Sequence, residues 1–271
     1  MHIEISSTQS PISLVQITDT HLGELPGSVL LGMDTDVSLG HVLDLVRAER
    51  DQADLLLATG DISSNGSLAS YQRFYQLSQG LARHACWLPG NHDDWLVMQQ
   101  ALANKPELKR SVRAGNWQII MLDSTTPGQP GGNLSNAELA FLRQTLESST
   151  AKHVLLCLHH HTVPTGCDWL DRQQVINSAA FFQLISRFDL VRGVLCGHVH
   201  QSLDHWHQGI KLMATPSSCI QFAANSTDFK LDRLNPGYRW LELYDDGEIG
   251  TGVSRVTGVD FDVDYDQSSG Y

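Results

Sequence analysis

Five different short polar motifs are spread along this chain, and each directly follows an apolar run. The runs are short and partly β-branched, which is typical of buried β-strands. If each run is a strand, the strand ends can meet at one edge of a sheet and bring the polar side chains together. The motifs are Asp19-Thr20-His21, Gly60-Asp61, Gly90-Asn91-His92-Asp93, His159-His160-His161 and Gly197-His198-Val199-His200.

Helical patterns alternate with the strand-like runs, and no internal repeat is present. This alternation predicts an α/β fold, with helices covering the faces of a mostly parallel or mixed sheet. In open α/β sheets ligands bind outside the carboxyl ends of the strands, where all five motifs fall. The predicted helices cover residues 36–49, 68–81, 135–146 and 179–188.

Composition narrows the range of partners. The 271 residues include 41% hydrophobic residues, enough for a sizeable core. The net charge of −12, from 30 acidic and 18 basic residues, argues against a protein that binds nucleic acid through a basic surface. A small anionic substrate remains compatible, because bound cations can dominate the field of a site.

The sequence also bears on the cellular compartment. The N-terminus has no basic region followed by a long apolar stretch, so no signal peptide is expected. No apolar run approaches the roughly 20 residues that span a bilayer, so no membrane partner is expected. The five cysteines contain no CxxC pair and predict reduced thiols without a disulfide framework. We therefore expect a cytoplasmic protein.

The motifs supply carboxylate, amide and imidazole groups, which together suit Mn²⁺, Fe or Zn²⁺. Asp61 could bridge two ions, and Asn91 offers a neutral carbonyl oxygen. Two ions about 3.5–4 Å apart can activate water and stabilise the charge that develops in phosphoryl displacement. Each motif alone would be an ordinary turn, but the complete set favours hydrolysis of a phosphate ester.

Strand alternation determines which of the histidines can lie on the same side. After a strand, neighbours alternate faces, so His159 and His161 share one side and His160 the other, and the spacing does not choose the ligand. The same alternation places His198 and His200 on one side. His205 and His207 have identical spacing but follow no buried strand, and we expect them to face solvent in a hairpin.

In type, order and rough spacing, the motifs resemble those of the calcineurin-like metallophosphoesterase superfamily. The resemblance covers about residues 12–215, and within it the chain looks most like the class III bacterial 3′,5′-cyclic AMP phosphodiesterases. One departure is Thr162, where those enzymes usually carry proline. The stretches behind the closer match are 16–22, 58–61, 87–93, 158–161, 195–201, 214–217 and 235–239.

The resemblance implies a ligand set. One ion would be held by Asp19, His21, Asp61 and His200, and the second by Asp61, Asn91, His160 and His198. His160 is selected because the family ligand normally lies two residues before the proline position. The metals implied are two divalent or trivalent ions, Fe or Mn, with Zn, Mg or Co as alternatives.

The resemblance further implies a reaction, the hydrolysis of 3′,5′-cyclic AMP to 5′-AMP by a hydroxide that bridges the ions. His92 would contact the phosphate and assist the leaving oxygen. The residues implied to touch the substrate are His21, Asn91, His92 and His200, with Cys219 and Phe222 as candidates in a pocket wall.

The family fold is a central β-sandwich of mixed sheets flanked by helices, in four αββα layers. Residues 1–215 would form the catalytic core. Residues 216–271 would form a C-terminal extension that packs on it as a pocket wall or lid, within a single domain overall. The acidic tail Val259–Tyr271 is expected to be exposed or lid-like.

Other functions stay open at this point. A protein phosphatase of the superfamily would show an arginine soon after Asp61 and GNHE in place of GNHD, and neither is present. Hydrolases of 2′,3′-cyclic nucleotides, nucleotide diphosphates or glycerophosphodiesters would share the metal site and differ in the pocket walls. A non-catalytic scaffold would typically have lost ligands. The sequence does not decide between a monomer and a homodimer.

Overall fold

The computed structural model describes residues 3–5, 10–103 and 105–266 of the chain. The strands are β1 Ile3–Ile5, β2 Ile12–Ile17, β3 Val29–Leu30, β4 Met33–Asp34, β5 Ala53–Thr59, β6 Ala82–Leu88, β7 Ser111–Ala114, β8 Trp117–Met121, β9 His153–Cys157, β10 Val191–Cys196, β11 Leu203–His207, β12 Ile210–Ala214, β13 Gln221–Phe222, β14 Leu231–Asp232, β15 Gly237–Leu243 and β16 Ile249–Arg255. The helices are α1 Thr35–Glu49, α2 Leu68–Leu77, α3 Trp95–Leu102, α4 Asn136–Glu147, α5 Asp168–Asp171 and α6 Ser178–Ile185, with a 3₁₀ turn at Pro106–Leu108.

Two mixed sheets form the centre of the molecule. The seven-stranded sheet has the order β1-β7-β8-β9-β10-β12-β11, and the five-stranded sheet has the order β16-β15-β2-β5-β6. Strands β2, β5 and β6 run parallel to one another, as do β8, β9, β10 and β12. Every strand that precedes a polar motif is therefore a member of a parallel group.

The sheets pack face to face over an apolar core. Alternate side chains of both sheets, such as Leu14, Leu57 and Cys157, point into this core and are essentially inaccessible. Helices α1, α2 and α3 pack on the outer face of the five-stranded sheet, and α4 and α6 on the outer face of the seven-stranded sheet. The predicted four-layer αββα fold is confirmed.

Helix boundaries follow local chemistry. Helix α4 begins after Ser135, whose hydroxyl accepts a hydrogen bond from the Glu138 amide at 3.1 Å, as an N-cap should. Helix α2 ends at Leu77, earlier than predicted, because Gly80 adopts a φ of 81° and the Leu81 carbonyl accepts a hydrogen bond from the Ala53 amide of β5 at 3.0 Å. Of the helices described, none combines the length and apolarity needed to cross a bilayer.

The segment from residue 216 contributes strands to the central sheets. Strand β15 lies between β16 and β2 in the five-stranded sheet. Beyond β16, Phe261 and Val263 pack against apolar clusters while the acidic residues of 260–266 are exposed. The rest of the tail, 267–271, lies outside the described residues. The division at residue 215 stays a prediction.

A buried arginine connects the two sheets. Arg239 of β15 is fully buried, and its guanidinium donates to Asp204 of β11 at 3.0 and 3.1 Å and to the Ala214 carbonyl at 2.9 Å. Its Nε donates to the Thr215 hydroxyl at 3.3 Å. A buried guanidinium is tolerated only where its donors are satisfied, and here Asp204 and Ala214 belong to the opposite sheet.

The same network continues to the base of the polar motifs. The Thr215 hydroxyl donates to Gln16 of β2 in a short contact. The Gln16 amide donates to the Thr59 hydroxyl at 2.8 Å and to the Cys196 carbonyl at 3.1 Å. Hydrogen bonds therefore tie together the ends of β2, β5 and β10, immediately before three of the motifs begin.

Replacing Arg239 by methionine tests this connection. The Arg239→Met protein should lose about 2 kcal/mol of unfolding free energy, because the buried Ala214 carbonyl loses its donor and Asp204 loses its ion-pair partner. Urea denaturation followed by circular dichroism measures this. Arg192→Met is the control, because Arg192 is exposed. Its replacement should lower the free energy of unfolding by only about 0.5 kcal/mol. Equal stabilities of the two variants would contradict the role assigned to Arg239.

Candidate metal centre

The five motifs meet in one cluster at the carboxyl ends of parallel strands, buried except for the partly exposed Asn91-His92-Asp93. Asp19 and His21 follow β2, Asp61 follows β5, and Asn91 follows β6, all in the five-stranded sheet. The histidine motifs follow β9 and β10 of the seven-stranded sheet. The cluster therefore takes its side chains from both sheets, at the edge where their strand ends face each other.

Unusual backbone conformations aim these side chains inward. A positive φ is uncommon outside glycine and costs energy, so it persists where surrounding contacts enforce it. Five motif residues adopt it: Asp19 (54°), His21 (46°), Asp61 (48°), His198 (65°) and His200 (49°). The backbone thus turns sharply at each of them, directly after a strand.

The close approach of the loops after β5 and β6 explains why residue 90 is glycine. A Cβ on Gly90 would collide with the Asp61 carboxylate and backbone. The amide of His92, two residues further on, donates to Asp61 Oδ1 at 2.9 Å. Glycine is therefore required here for the loop after β6 to reach the carboxylate after β5.

The first group of potential ligands consists of Asp19, His21 and His200, all buried. The Nε2 atom of His200 lies 3.2 Å from Asp19 Oδ1 and 3.3 Å from His21 Nε2. The Nδ1 atom of His200 donates to the Ile220 carbonyl at 2.9 Å. Histidines that bind metals commonly donate their second nitrogen to a carbonyl in this way, which fixes the other toward the ion.

The second group lies around Asp61. The Nε2 atom of His159 is 3.3 Å from Asp61 Oδ2 and 3.2 Å from Asn91 Oδ1. The Nδ1 atom of His159 donates to the Thr59 carbonyl at 2.8 Å, the same arrangement as in His200. The ring of His198 stands 5.0 Å from that of His159. Asp61 also lies 3.8 Å from His21, so it faces both groups.

His160, the ligand selected from the family resemblance, is placed differently. Its Nδ1 contacts the Ser124 hydroxyl at 2.8 Å and its Nε2 the Pro130 carbonyl at 3.1 Å, so both nitrogens are engaged by the protein. Its ring remains 4.6 Å from that of His198. The geometry thus favours His159 beside Asp61 and Asn91, and a ligand role for His160 stays a prediction.

Strand alternation explains the difference. Cys157 of β9 points into the core between the sheets, whereas Leu156 and Leu158 point toward the helices. His159 continues the side of Cys157 and so faces Asp61 across the sandwich. His160 continues the side of Leu158. The histidine triplet does not reveal which side of β9 is inward, but the observed packing does.

The residues present fit metal ions. Asp19 and Asp61 are buried carboxylates, and buried charge is costly unless it is compensated. His198 Nε2 is buried and has no hydrogen-bond partner among the described residues. Carboxylate, amide and imidazole atoms converge, and the second nitrogens of His159 and His200 are already bound to carbonyls. This donor set suits a pair of first-row transition metal ions.

Without a cation, protons compensate the charge. Burial would lower the pKa of His159, but the charge and hydrogen bond of Asp61 raise it to about 9. Burial would raise the pKa of Asp61, but the nearby His159, His92 and His21 hold it well below its usual range. Burial lowers the pKa of His198 well below its usual range, and that imidazole is neutral and able to ligate.

His92 lies beside the cluster and lines a cavity of about 190 Å³. Its Nδ1 is 3.2 Å from the Ser64 carbonyl oxygen, which can only accept. Nδ1 therefore carries a proton, and Nε2 is the nitrogen through which a proton can pass to a ligand. The sequence-based assignment of His92 to the substrate stays a prediction that this placement supports.

Phe222 and Cys219, the two candidates for the pocket wall, lie in different surroundings. Phe222 lines the cavity and stacks on His200, with ring centroids 4.1 Å apart. Cys219 is fully buried in an apolar cluster, and burial raises the pKa of its thiol to about 12. The structure thus brings Phe222 to the site and leaves Cys219 behind its wall.

Two further residues support the cluster: Ser124, which belongs to none of the five motifs, and Asp93, the last residue of the third motif. Ser124 anchors His160, whereas the neighbouring Asp123 accepts from Thr125 within its own loop. Asp93 accepts from the amides of Ser63 at 3.0 Å and Gly90 at 2.9 Å, which binds the loop of Asp61 to that of Asn91. Burial and the charge of Asp61 raise the pKa of Asp93 to about 6.

The chain is similar in sequence to known proteins over most of its length. The model of the family described as calcineurin-like phosphoesterase matches residues 12–202. The chain is similar to the 3′,5′-cyclic adenosine monophosphate phosphodiesterase CpdA of Pseudomonas aeruginosa, with 45% identity over 270 residues, covering 100% of this chain and 99% of that protein. The CpdA of Escherichia coli (strain K12) is 40% identical over 265 residues, covering 97% and 96%.

A solved structure shares the fold. The chain resembles a dimetal phosphatase from Danio rerio with a TM-score of 0.60 and 14% identity, covering 92% of this chain and 100% of that one. At that identity the likeness concerns the fold alone.

Metal binding should depend on His159 and not on His160. His159→Ala should reduce bound metal by about one ion per chain, since it removes the imidazole that faces Asp61 and Asn91. His160→Ala is the matched control and should retain its metal, because both nitrogens of His160 are engaged elsewhere. Inductively coupled plasma mass spectrometry of protein reconstituted with Mn²⁺ measures this, with thermal melts to check folding. Loss of metal from His160→Ala alone would reverse the assignment.

Proposed function

Because the chain belongs to the calcineurin-like phosphoesterase family, we propose that it hydrolyses 3′,5′-cyclic AMP to 5′-AMP at the metal centre. The observation that carries the proposal is similarity at 40–45% identity, over nearly the whole length, to proteins named 3′,5′-cyclic AMP phosphodiesterases. The reaction would lower the concentration of cyclic AMP in the cytoplasm.

Two ions would be held by side chains of both sheets. Asp19, His21, Asp61 and His200 would hold one, and Asp61, Asn91, His159 and His198 the other. Asp61 would be shared, because it faces both groups. The mixture of oxygen and imidazole donors suits Mn or Fe, with Zn, Co or Mg as the alternatives. When bound, such ions neutralise phosphate oxygens and lower the pKa of water, which supplies the nucleophile.

A side chain of the protein would protonate the leaving oxygen. In the reaction, a water oxygen forms a bond to phosphorus as the bond from phosphorus to O3′ breaks, which opens the ring. O3′ must then take up a proton. His92 lines the cavity beside Asp61 and Asn91, and its Nε2 can deliver that proton as general acid. The backbone amide of His92 remains bound to Asp61, which fixes the ring's position.

The charge of the cavity favours a diester. Its described lining residues include neither lysine nor arginine, and Asp61 is the one carboxylate among them. A phosphate monoester carries about two charges near neutral pH, since its second pKa is about 6, and commonly binds to arginine forks. A cyclic phosphodiester carries a single charge. The lining thus supports the cyclic nucleotide over the monoester of a phosphoprotein.

Product analysis tests the proposal. Metal-stripped protein should be inactive, and the same protein resupplied with Mn²⁺ or Fe²⁺ should convert 3′,5′-cyclic AMP to 5′-AMP, resolved by chromatography. Formation of 3′-AMP would contradict the proposed direction of cleavage. Hydrolysis of bis(4-nitrophenyl) phosphate without turnover of 3′,5′-cyclic AMP would leave the other diesters named above as substrates.

A ligand variant tests the site independently. Asn91→Ala should lower kcat at least about 100-fold, since even outer-shell partners of metal ligands contribute about 10–100-fold. Asn116→Ala is the control, because the Asn116 amide donates to the Asp245 carbonyl at 3.2 Å, away from the site. Normal turnover by Asn91→Ala with full metal content would refute the assignment.

A further inference from the structure

The cavity in front of the metal ligands has a second wall that the proposed cleavage step does not use. The candidate ligands and His92 supply half of its lining: Asp61, Asn91, His92, His198 and His200. We call the other lining residues the second wall; they are Trp169, Gln173 and Phe229, with Pro130 and Phe222. A substrate whose phosphate lies at the metal ligands would place the remainder of the molecule against this second wall.

The aromatic part of the wall extends outward from the metal centre. Phe222 stacks flat on His200, with an interplanar angle of 4°. Trp169 packs edge-on against Phe222 at 4.9 Å and against Phe229 at 5.1 Å. Phe222 is buried with one face stacked on His200, whereas Trp169 and Phe229 are half-buried and line the cavity. Trp169 and Phe229 therefore present the ring surfaces available to a ligand.

Hydrogen bonds fix the orientation of Trp169. Its indole Nε1 donates to the Ser226 hydroxyl at 3.3 Å, and the amide of Asp168 donates to the Ser226 carbonyl at 3.2 Å. These bonds join α5 to the loop between β13 and β14, the loop that also carries Phe229. The two rings are thus held by connected segments, as a preorganised stacking surface requires.

Gln173 supplies a polar group to the same wall. Its backbone is anchored, because its amide donates to the Leu170 carbonyl at 2.8 Å and its carbonyl accepts from Gly132 at 3.0 Å. Its side-chain carboxamide forms no hydrogen bond with any residue that the structure describes. A carboxamide both donates and accepts. Gln173 can therefore offer a donor and an acceptor to a ligand in the cavity.

We propose that Trp169, Phe229 and Gln173 form a subsite for the adenine base of the substrate. This inference rests on the proposed function and adds the residues that select the base. Aromatic side chains stack on nucleobases, and a glutamine carboxamide forms a bidentate pair with adenine N6 and N7. The wall carries no formal charge, which suits a neutral heterocycle.

The pairing implies selectivity at a single exocyclic atom. Adenine presents a donor at N6 next to an acceptor at N7, which matches the acceptor and donor of the carboxamide. A 6-oxopurine presents acceptors at both positions, so the carboxamide oxygen faces an acceptor and one hydrogen bond is lost. The enzyme should therefore prefer 3′,5′-cyclic AMP over 3′,5′-cyclic IMP, which differ at this position.

The test compares kcat/KM for these two nucleotides. The wild-type protein should prefer cyclic AMP about 10-fold or more, the usual discrimination of a bidentate pair, and Gln173→Ala should bring the ratio close to one. Gln174→Ala is the matched control and should keep the wild-type ratio, because the Gln174 amide lies 3.5 Å from the Ser178 hydroxyl, outside the cavity. Metal content and thermal melts of all variants check that the site and the fold persist.

A second pair of variants tests stacking. Trp169→Leu and Phe229→Leu should each raise KM for cyclic AMP about 10-fold, the usual loss of one base-stacking contact, and inhibition by inorganic phosphate should be unchanged. An unaltered nucleotide ratio in Gln173→Ala, with cyclic AMP still hydrolysed, overturns the base subsite alone. Hydrolysis of bis(4-nitrophenyl) phosphate but of no cyclic nucleotide by the wild type overturns the proposed function, and the subsite with it.

Discussion

The apposition of two sheets is the constraint on which the rest of the structure depends. Asp61 stands at the end of one sheet and His159 at the end of the other, with 3.3 Å between their interacting atoms. Asp19 similarly contacts His200 across the sandwich, at 3.2 Å. Neither sheet alone holds a complete ligand set. The apolar core between the sheets and the buried contacts of Arg239 therefore set the distances within the site as well as the stability of the fold.

Bringing these groups together has a local energetic cost that the fold must offset. Residues at positive φ and buried carboxylates are each unfavourable in isolation. They are concentrated at Asp19 and Asp61, where hydrogen bonds from the His198 and His92 amides hold the carboxylates. A bound cation would relieve the electrostatic part of this cost. The fold and a bound metal ion would therefore stabilise each other, as is general for sites whose ligands come from distant parts of a chain.

Much of this arrangement could be predicted from the sequence because the signals are local. Apolar runs that end in polar motifs specify parallel strands and their carboxyl ends, and Ser135 marks the start of a helix. The choice between His159 and His160 depends instead on which face of β9 is inward, a property of the sheet packing. Trp169 lies in the short helix α5 and Gln173 two residues after its end, and neither belongs to a motif; only the folded chain brings them to the candidate ligands. Residues that bind the base were for this reason beyond the reach of pattern and spacing.

Strand β15 pairs a late segment of the chain with an early one. It is one of the two neighbours of β2, the strand that leads into Asp19, and it is made only when residues 237–243 have been synthesised. His200, the last residue of the proposed ligand set, precedes β15 by more than thirty positions in the sequence. A nascent chain therefore carries every proposed ligand well before it can complete the sheet that positions the first two. The centre can assemble fully only after residue 243 has been added, so catalytic competence follows the synthesis of the last ligand with a delay.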